Sequence, residues 1–324
     1  YACIICMNTK EKVLSYLKAH GEIISGEKLA QKIGVSRTAI WKAIRELEKQ
    51  GYHIEHQKTG YRLLASDVIE TAALCNPYLP KSAIYYSESV DSTMHQAKQA
   101  AISKQTDFAL FVAEEQTQGH GRFGRAFFSP KGQIYMSLLL SPNQHFQELP
   151  QYTVLSAVAV SQAIEQLTGL NTQIKWVNDI YIEGKKVCGI LTEAMSDFET
   201  QRISHVIIGI GLNFCIDPSQ IPVELQSKIR ALYEKDPDIT RNELIQLIWQ
   251  NFFDLIAALP HQDYLKIYRE KSYVLGKIVH FSQNGQNYSG KACAITDQGE
   301  LVVNCNGQER VLSSGEISLS QIEN

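Results

Sequence analysis

The sequence predicts an α+β protein in three successive parts: three helices and a hairpin over residues 7–66, a mixed sheet with flanking helices over 67–270, and a small all-β module over 271–324. Three observations carry this. Positive charge is gathered at one end: residues 10–64 hold eleven Lys/Arg against six Asp/Glu, a local +5 in a chain of net −3, so the remainder stands at −8. Composition shifts after Asp67, where Pro77 and Pro80 mark a linker. Helical periodicity stops near Ser272 and gives way to short strand-like runs parted by glycine turn signals.

At 324 residues, with 44% hydrophobic and 20% charged content, the chain has material for two or three ordinary globular cores. No stretch approaches the roughly 18 apolar residues of a membrane span, so a membrane role is not expected. The opening Tyr1-Ala-Cys-Ile-Ile-Cys-Met7 is too short for a secretory signal and lacks its basic start; Met7 reads as an initiator preceded by an extension. Seven cysteines in no regular framework fit a reducing cytoplasm. Cys3 and Cys6 have metal or redox spacing but no second pair nearby, so no metal site is assigned.

In the first part, Val13, Leu14 and Leu17 form the apolar stripe of a helix that Gly21 ends. Ser25 caps a second helix with Leu29, Ala30 and Ile33 inward, Gly34 turns the chain, and Ser36 caps a third. There Ile40, Ile44 and Leu47 recur at helical spacing, which leaves Arg37, Thr38, Trp41, Lys42 and Arg45 on other faces. A glycine turn followed by a helix with a basic, hydroxyl-bearing start is what a DNA-reading helix-turn-helix requires. Residues 52–63 read as two strands around Lys58-Thr-Gly60, a wing with Lys58 and His56 near its tip. The expected DNA contacts are Ser36, Arg37, Thr38, Trp41, Lys42, Arg45 and Lys58.

The middle part alternates strand and helix periods. Strands are expected over 83–86, 108–113, 133–140, 173–176, 180–182, 187–194 and 206–213, and helices over 92–102, 152–167, 222–232 and 241–258. Hairpin connections such as Glu183-Gly-Lys185 favour a mixed sheet over a doubly wound one.

Its most informative stretch is Gln116-Thr-Gln-Gly-His-Gly-Arg-Phe-Gly-Arg125, directly after an apolar run. Glycine lets backbone N–H groups approach an anion, and arginine pairs with phosphate or carboxylate. The pattern is neither of the two common phosphate-loop fingerprints. Alone it is equally a solvated turn. Three more segments join it. Val90-Asp-Ser-Thr-Met94 opens a helix with Ser92 as plain N-cap and Thr93 left over. Lys175-Trp-Val-Asn-Asp179 sets a lysine between apolar neighbours in a strand, where it either faces solvent or needs an anionic partner. In 186–193 and 208–213, glycines interrupt β-branched runs, as where a ligand or another backbone comes close.

Together Asp91-Ser-Thr93, Gly119-His-Gly-Arg-Phe-Gly-Arg125, Lys175-Trp-Val-Asn-Asp179, Gly189-Ile-Leu191 and Gly209-Ile-Gly-Leu-Asn213 resemble the biotin–protein ligases. The helix-turn-helix makes the chain similar to the bifunctional class that also represses biotin-synthesis genes, and the likeness runs from Lys10 to the end. The resemblance implies a catalytic fold like that of class II aminoacyl-tRNA synthetases and biotin/lipoyl ligases. It implies ATP, biotin and Mg²⁺, formation of biotinyl-5′-AMP, and transfer to a lysine of the biotin carboxyl carrier protein of acetyl-CoA carboxylase. It also implies operator DNA and a ligand-promoted homodimer in the cytoplasm.

By the same resemblance Lys175 and Arg122 are catalytic, holding the carboxylate and α-phosphate. Ser92, Thr93, Gln116, Gly119, His120, Arg122, Lys175, Gly209 and Gly211 line the biotin site. Arg122, Arg125, Lys186 and Asn213 serve ATP, and no metal ligand is assigned. His120, Met94 and Val177 depart from the family's usual arginine, asparagine and proline, and the stretch after Asn213 lacks a tryptophan that some members place against adenine.

Lipoate or octanoate transferases share the fold. The octanoyl enzymes need a cysteine nucleophile, and the nearest candidate, Cys188, lies in an apolar run that reads as core. A non-enzymatic acid sensor would not need the phosphate-binding Lys175, Arg122 and Arg125. In the last part, runs at 277–282, 286–296, 301–306 and 308–312, separated by Asn284-Gly285, Asp297-Gln-Gly299 and Asn306-Gly307, read as an SH3-like barrel. Its closing segment Ser314-Gly-Glu-Ile-Ser318 is like that of the family, in which this module closes the active site, engages the acceptor, or merely packs.

Overall fold

The computed structural model describes residues 7–142, 144–145, 149–197, 202–261, 263–283, 285–313 and 317–319. Cys3, Cys6, Asn284 and the start of the 314–318 segment lie outside them. The chain divides into two compact units, one ending at Ile69 and one beginning at Glu70.

In the first unit each helix begins on a side-chain cap. Asn8 and Glu11 form a reciprocal capping box ahead of α1 (Thr9–His20). Ser25 accepts from Lys28 N at the head of α2 (Gly26–Ile33), and Ser36 accepts from Ala39 N at the head of α3 (Arg37–Lys49). Gly21 and Gly34 end the first two helices in the left-handed conformation. Val13, Leu17, Leu29, Ile40, Ile44 and Leu47 meet in one core, with Leu14 and Ile33 at its margin. The wing is β1 (Ile54–Gln57) paired with β2 (Gly60–Leu63). Tyr61 also exchanges both backbone bonds with Ile24, at 2.9 Å each. Gly60 is required there, since a Cβ would fall 2.1 Å from the Ile24 carbonyl oxygen.

The second unit is organised on one mixed sheet. Its strands are β3 (Ile84–Val90), β4 (Ala109–Gln116), β5 (Ile134–Leu140), β6 (Gln144–His145), β7 (Gln173–Lys175), β8 (Asp179–Ile182), β9 (Lys185–Asp197) and β10 (Arg202–Leu212). The spatial order is β3-β4-β5-β10-β9-β8-β7, with β6 beside β10. Only β3 and β4 run parallel; every other pair is antiparallel.

Side-chain alternation decides which residues share a face. Ser137, Gly209, Leu191, Gly189, Gly211, Asp179 and Lys175 fall on one side by register; Met136, Ile208, Ile210, Ile190, Cys188, Ile180 and Ile174 fall on the other. The second side is covered by α5 (Leu149–Thr168) and α7 (Arg241–Ala257), with Thr153 bonding Thr192 and Trp249 bonding the Met136 sulfur. Because α5 packs against the sheet and also against α7 and α8, it is apolar nearly all round. The first side carries α4 (Thr93–Ile102), whose Met94, Ala97 and Ala101 pack on Phe111, Leu139 and Ile207. The rest of that side is left open.

Two expectations need correction. The helix expected over 222–232 shrinks to α6 (Val223–Gln226). Residues 228–233 instead run beside the strand ends, where Lys186 N bonds Lys228 O and Leu232 N bonds Asn213 O. Strand termini with unsatisfied N–H and C=O groups outcompete a weak helix. An unanticipated short helix, α8 (Asp263–Glu270), buries Tyr264, Leu265 and Tyr268.

The last sheet comprises β11 (Ile278–Gln283), β12 (Gln286–Ile295), β13 (Leu301–Cys305), β14 (Gln308–Leu312) and β15 (Ile317–Leu319), ordered β14-β13-β12-β11-β15 and wholly antiparallel. Asn306 and Gly307 both have positive φ, the geometry their hairpin turn demands. No described helix is long and apolar enough to cross a membrane.

Candidate active site

The open side of the large sheet holds a cavity of about 240 Å³. It gathers Ser92, Thr93, Gln116, His120, Arg122, Arg125, Lys175, Lys186, Gly209 and Gly211, which lie far apart in sequence. Gly119 and Asn213 are outside its lining.

Thr93, at the start of α4, is fully engaged. Its N–H and hydroxyl both donate to Gln116 Oε1 (2.9 and 3.2 Å), and its oxygen lies 2.8 Å from Ser137 Oγ. Gln116 Nε2 in turn donates to Ser129. Ser92 stands at the N-cap position and is buried, yet its side chain makes no cap bond. Here the plain-cap reading fails: Asp91 Oδ1 instead accepts from the Ser92 N–H. Gly119 serves this network from behind, because a Cβ would sit 2.5 Å from Ser129 Oγ and 2.9 Å from Gln116 Nε2.

The glycine/arginine loop is a short ladder. Phe127 N donates to Gly119 O and Gly121 N to Arg125 O, with a tight turn over Arg122–Gly124 at the tip. Phe123 and Gly124 have positive φ there, and Phe123 is 72% exposed. Arg122 lies over the Phe123 ring and reaches Asn178 Oδ1 at 3.5 Å. Asn178 is itself anchored to the Ile190 carbonyl at 2.6 Å. His120, exposed, leans on the Gln118 carbonyl at 3.4 Å.

Lys175 faces the cavity from β7, with its ammonium 5.6 Å from the Tyr181 ring centre. Lys186 pairs with Asp179 at 2.7 Å. Gly189 leaves room for that reach, since a Cβ would lie 2.9 Å from Lys186 Nζ. The other sheet glycines are likewise occupied. Over Gly211 lies the Phe127 ring, 2.6 Å from a would-be Cβ, and over Gly209 lies the Met94 sulfur, also 2.6 Å. What these glycines admit first is thus a set of side chains that floor the cavity. Phe127, Met94, Asn178, Asp179 and Ile317 were not assigned from sequence. Asn178 and Asp179 stood inside the lysine motif; Phe127 carried no signal beyond following the loop.

Asn213 caps the strand ends instead of lining the cavity: its Nδ2 donates to the Arg230 carbonyl at 3.1 Å. Cys188 lies on the covered side, fully buried, and burial pushes its thiol well above the ordinary range. It offers no thiolate nucleophile.

A cavity lined by Lys175, Arg122, Arg125 and Lys186, with one carboxylate and a hydroxyl/amide cluster opposite, suits an anionic ligand with a polar head. Residues 86–213 match the biotin/lipoate A/B protein ligase family, 274–320 the biotin protein ligase C-terminal domain, and 9–62 a helix-turn-helix domain. The bifunctional ligase/repressor BirA of Bacillus subtilis is 37% identical over 96% of this chain and 98% of its own length. This chain belongs to the bifunctional biotin–protein ligase/repressor family. The Escherichia coli BirA is 26% identical over 98% of this chain and 99% of its own length. A solved biotin protein ligase from Aquifex aeolicus, in complex with biotin and ATP, superposes with a TM-score of 0.61 at 28% identity, covering 74% of this chain and 98% of that one.

In the ligase/repressor's DNA-reading unit, Arg37, Thr38, Lys42, Arg45 and Lys58 are exposed. Trp41 is 52% exposed, with the Arg45 guanidinium 5.9 Å from its ring. The Ser36 hydroxyl is committed to its cap at 3.1 Å. At the wing, His56 is held by Glu48 of α3 at 2.7 Å, which leaves Lys58 at the turn.

Proposed function

We propose that this ligase joins biotin to ATP and passes the activated biotin to a lysine of a biotin carboxyl carrier protein. Biotin's carboxylate oxygen attacks the α-phosphorus; the bond to the β-phosphate bridging oxygen breaks, giving biotinyl-5′-AMP and pyrophosphate. The acceptor amine then attacks the acyl carbon, loses a proton, and releases AMP. Displacement at phosphorus calls for positive charge around the reacting oxygens more than for an acid or base.

The observation that supports this most is the convergence of Lys175 and Arg122 on one cavity beside the Thr93–Gln116 cluster. Lys175 and Arg122 hold the carboxylate and α-phosphate; Arg125 and Lys186 serve the remaining phosphates. Ser92, Thr93 and Gln116 orient the polar head of biotin, and Gly119 and Asn213 act one layer behind. Among the described residues the cavity presents a single carboxylate, Asp179, paired with Lys186, and no cluster of three metal-binding groups exists. That set does not fit a protein-bound Mg²⁺ on its own; an ion serving the reaction would be held by the nucleotide phosphates.

Biotin-dependent exchange between ATP and labelled pyrophosphate tests the activity. Exchange with biotin and little with lipoate is expected; the reverse preference would overturn the reading.

The basic face of the N-terminal unit serves operator DNA, and biotinyl-AMP favours a homodimer whose two modules meet paired half-sites. Support comes from exposed Arg37, Thr38, Lys42 and Arg45 on a capped third helix, in a chain that also carries a ligand cavity. Adding biotin and ATP should raise both sedimentation mass and operator affinity; no change in either would refute the coupling. A cytoplasmic location follows from this role.

A further inference from the structure

One set of contacts near the cavity has no part in the chemistry above. By register, Lys175 of β7 faces Asp179 of β8, and Tyr181 lies two residues further along the same side, a diagonal neighbour. The Lys175 ammonium is 5.6 Å from the centre of the Tyr181 ring, within cation–π range. That ring stacks on Tyr273, with centres 5.1 Å apart and planes 20° from parallel. The Tyr273 ring in turn carries Lys277 Nζ at 3.6 Å. Two cations and two aromatic rings therefore form a row from the cavity to the first strand of the C-terminal sheet.

The row is fixed at its middle. Tyr273 N donates to Ile174 O at 2.8 Å and Ile174 N to Lys271 O at 2.7 Å, so the residue before Lys175 is bonded to the chain that enters the C-terminal sheet. Trp176, the residue after it, donates to the Gly299 carbonyl in a turn of that sheet at 3.0 Å. Burial, with the nearby Asp179 charge and Tyr273, pushes the Tyr181 phenol up to about 12, so the ring is neutral and presents its π face to the lysine.

We propose that Tyr181 is a positioning residue for Lys175, holding its ammonium toward the cavity, and that the Tyr273–Lys277 pair anchors Tyr181 to the C-terminal sheet. The proposal rests on the catalytic reading of Lys175. Through this row the C-terminal sheet sets the position of a reacting charge.

Steady-state pyrophosphate exchange with the full chain tests the row. Tyr181→Leu should lower kcat about three- to thirtyfold, the span of one partly desolvated cation–π contact, with the KM for biotin moved less than about twofold. Tyr181→Phe keeps the ring face and should restore kcat. Tyr273→Leu, farther from the cavity, should lower kcat by a smaller factor and add little on top of Tyr181→Leu. Wild-type kcat in Tyr181→Leu, or equal impairment in Tyr181→Phe, would overturn the proposal. So would wild-type kcat in a folded Tyr273→Leu protein. If the unsubstituted protein itself exchanged nothing with biotin, the functional reading would fall instead, which separates the two failures.

Discussion

Lys175→Met should lower biotin-dependent pyrophosphate exchange by about a hundred- to a thousandfold while leaving the thermal unfolding midpoint nearly unchanged. Lys175 ends β7 on the open side of the sheet, half-buried, while the residues on either side, Ile174 and Trp176, are buried. Methionine keeps the length and apolar stem of lysine and removes only the charge, so packing around Ile174 and Trp176 survives. A fixed cation in a partly desolvated cavity lowers the cost of charge developing at the reacting oxygens, and water cannot replace it without reorganising.

The remaining cations do not substitute. Lys186 is committed to Asp179 at 2.7 Å, and Arg122 reaches Asn178 Oδ1 at 3.5 Å from the glycine/arginine loop. The loss should therefore appear in kcat for adenylate formation, with a smaller effect on transfer from pre-formed biotinyl-AMP. Exchange within tenfold of the unsubstituted protein would remove Lys175 from the catalytic role.

Much of this geometry was legible because it follows from local rules. Ser25 and Ser36 cap their helices, Gly21 and Gly34 end theirs, and Asn306-Gly307 turns a hairpin, each decided within a few residues. The apolar run around Cys188 reads as core, whereas the side on which Lys175 lies is decided only by the register of β7 and β8. What was not legible depends on neighbours distant in sequence. Gly209 and Gly211 signalled close approach, but nothing in the chain says that Met94 and Phe127 are what approaches. Gly119 belongs to the loop motif, yet its use is to clear space for the Gln116–Ser129 bond. Residues 228–233 adjoin a stretch of helical character but pair with the ends of β9 and β10, a demand visible only once those strands are adjacent.

The second large effect concerns stability, and Arg241→Met should destabilise the catalytic unit by about 3–5 kcal/mol. Arg241 is 4% exposed and is the first residue of α7, where a positive charge meets the positive end of the helix dipole. Its position is tolerable because Glu114 of β4 accepts from its Nη1 at 2.9 Å, and the Gln133 carbonyl accepts from the same atom at 3.1 Å. Glu114 also accepts from Gly132 N at 3.1 Å, and burial together with that carboxylate's charge raises the nearby Tyr86 phenol to about 12. Gln133 extends the network past the end of β10: it accepts from Phe214 N and donates to the Cys215 carbonyl, both at 2.7 Å. Removing the arginine leaves a half-buried carboxylate facing an uncharged thioether, the configuration that makes broken pairs costly. Glu114→Gln should cost a comparable amount, and the double variant should cost clearly less than the sum, because the two losses describe one interaction. Urea unfolding followed by tryptophan emission reads the relevant unit through its two buried tryptophans, Trp176 and Trp249, once exposed Trp41 of the N-terminal unit is replaced by phenylalanine. A single-variant cost under about 1 kcal/mol, or strict additivity in the double variant, would show that this pair does not hold α7 against the sheet.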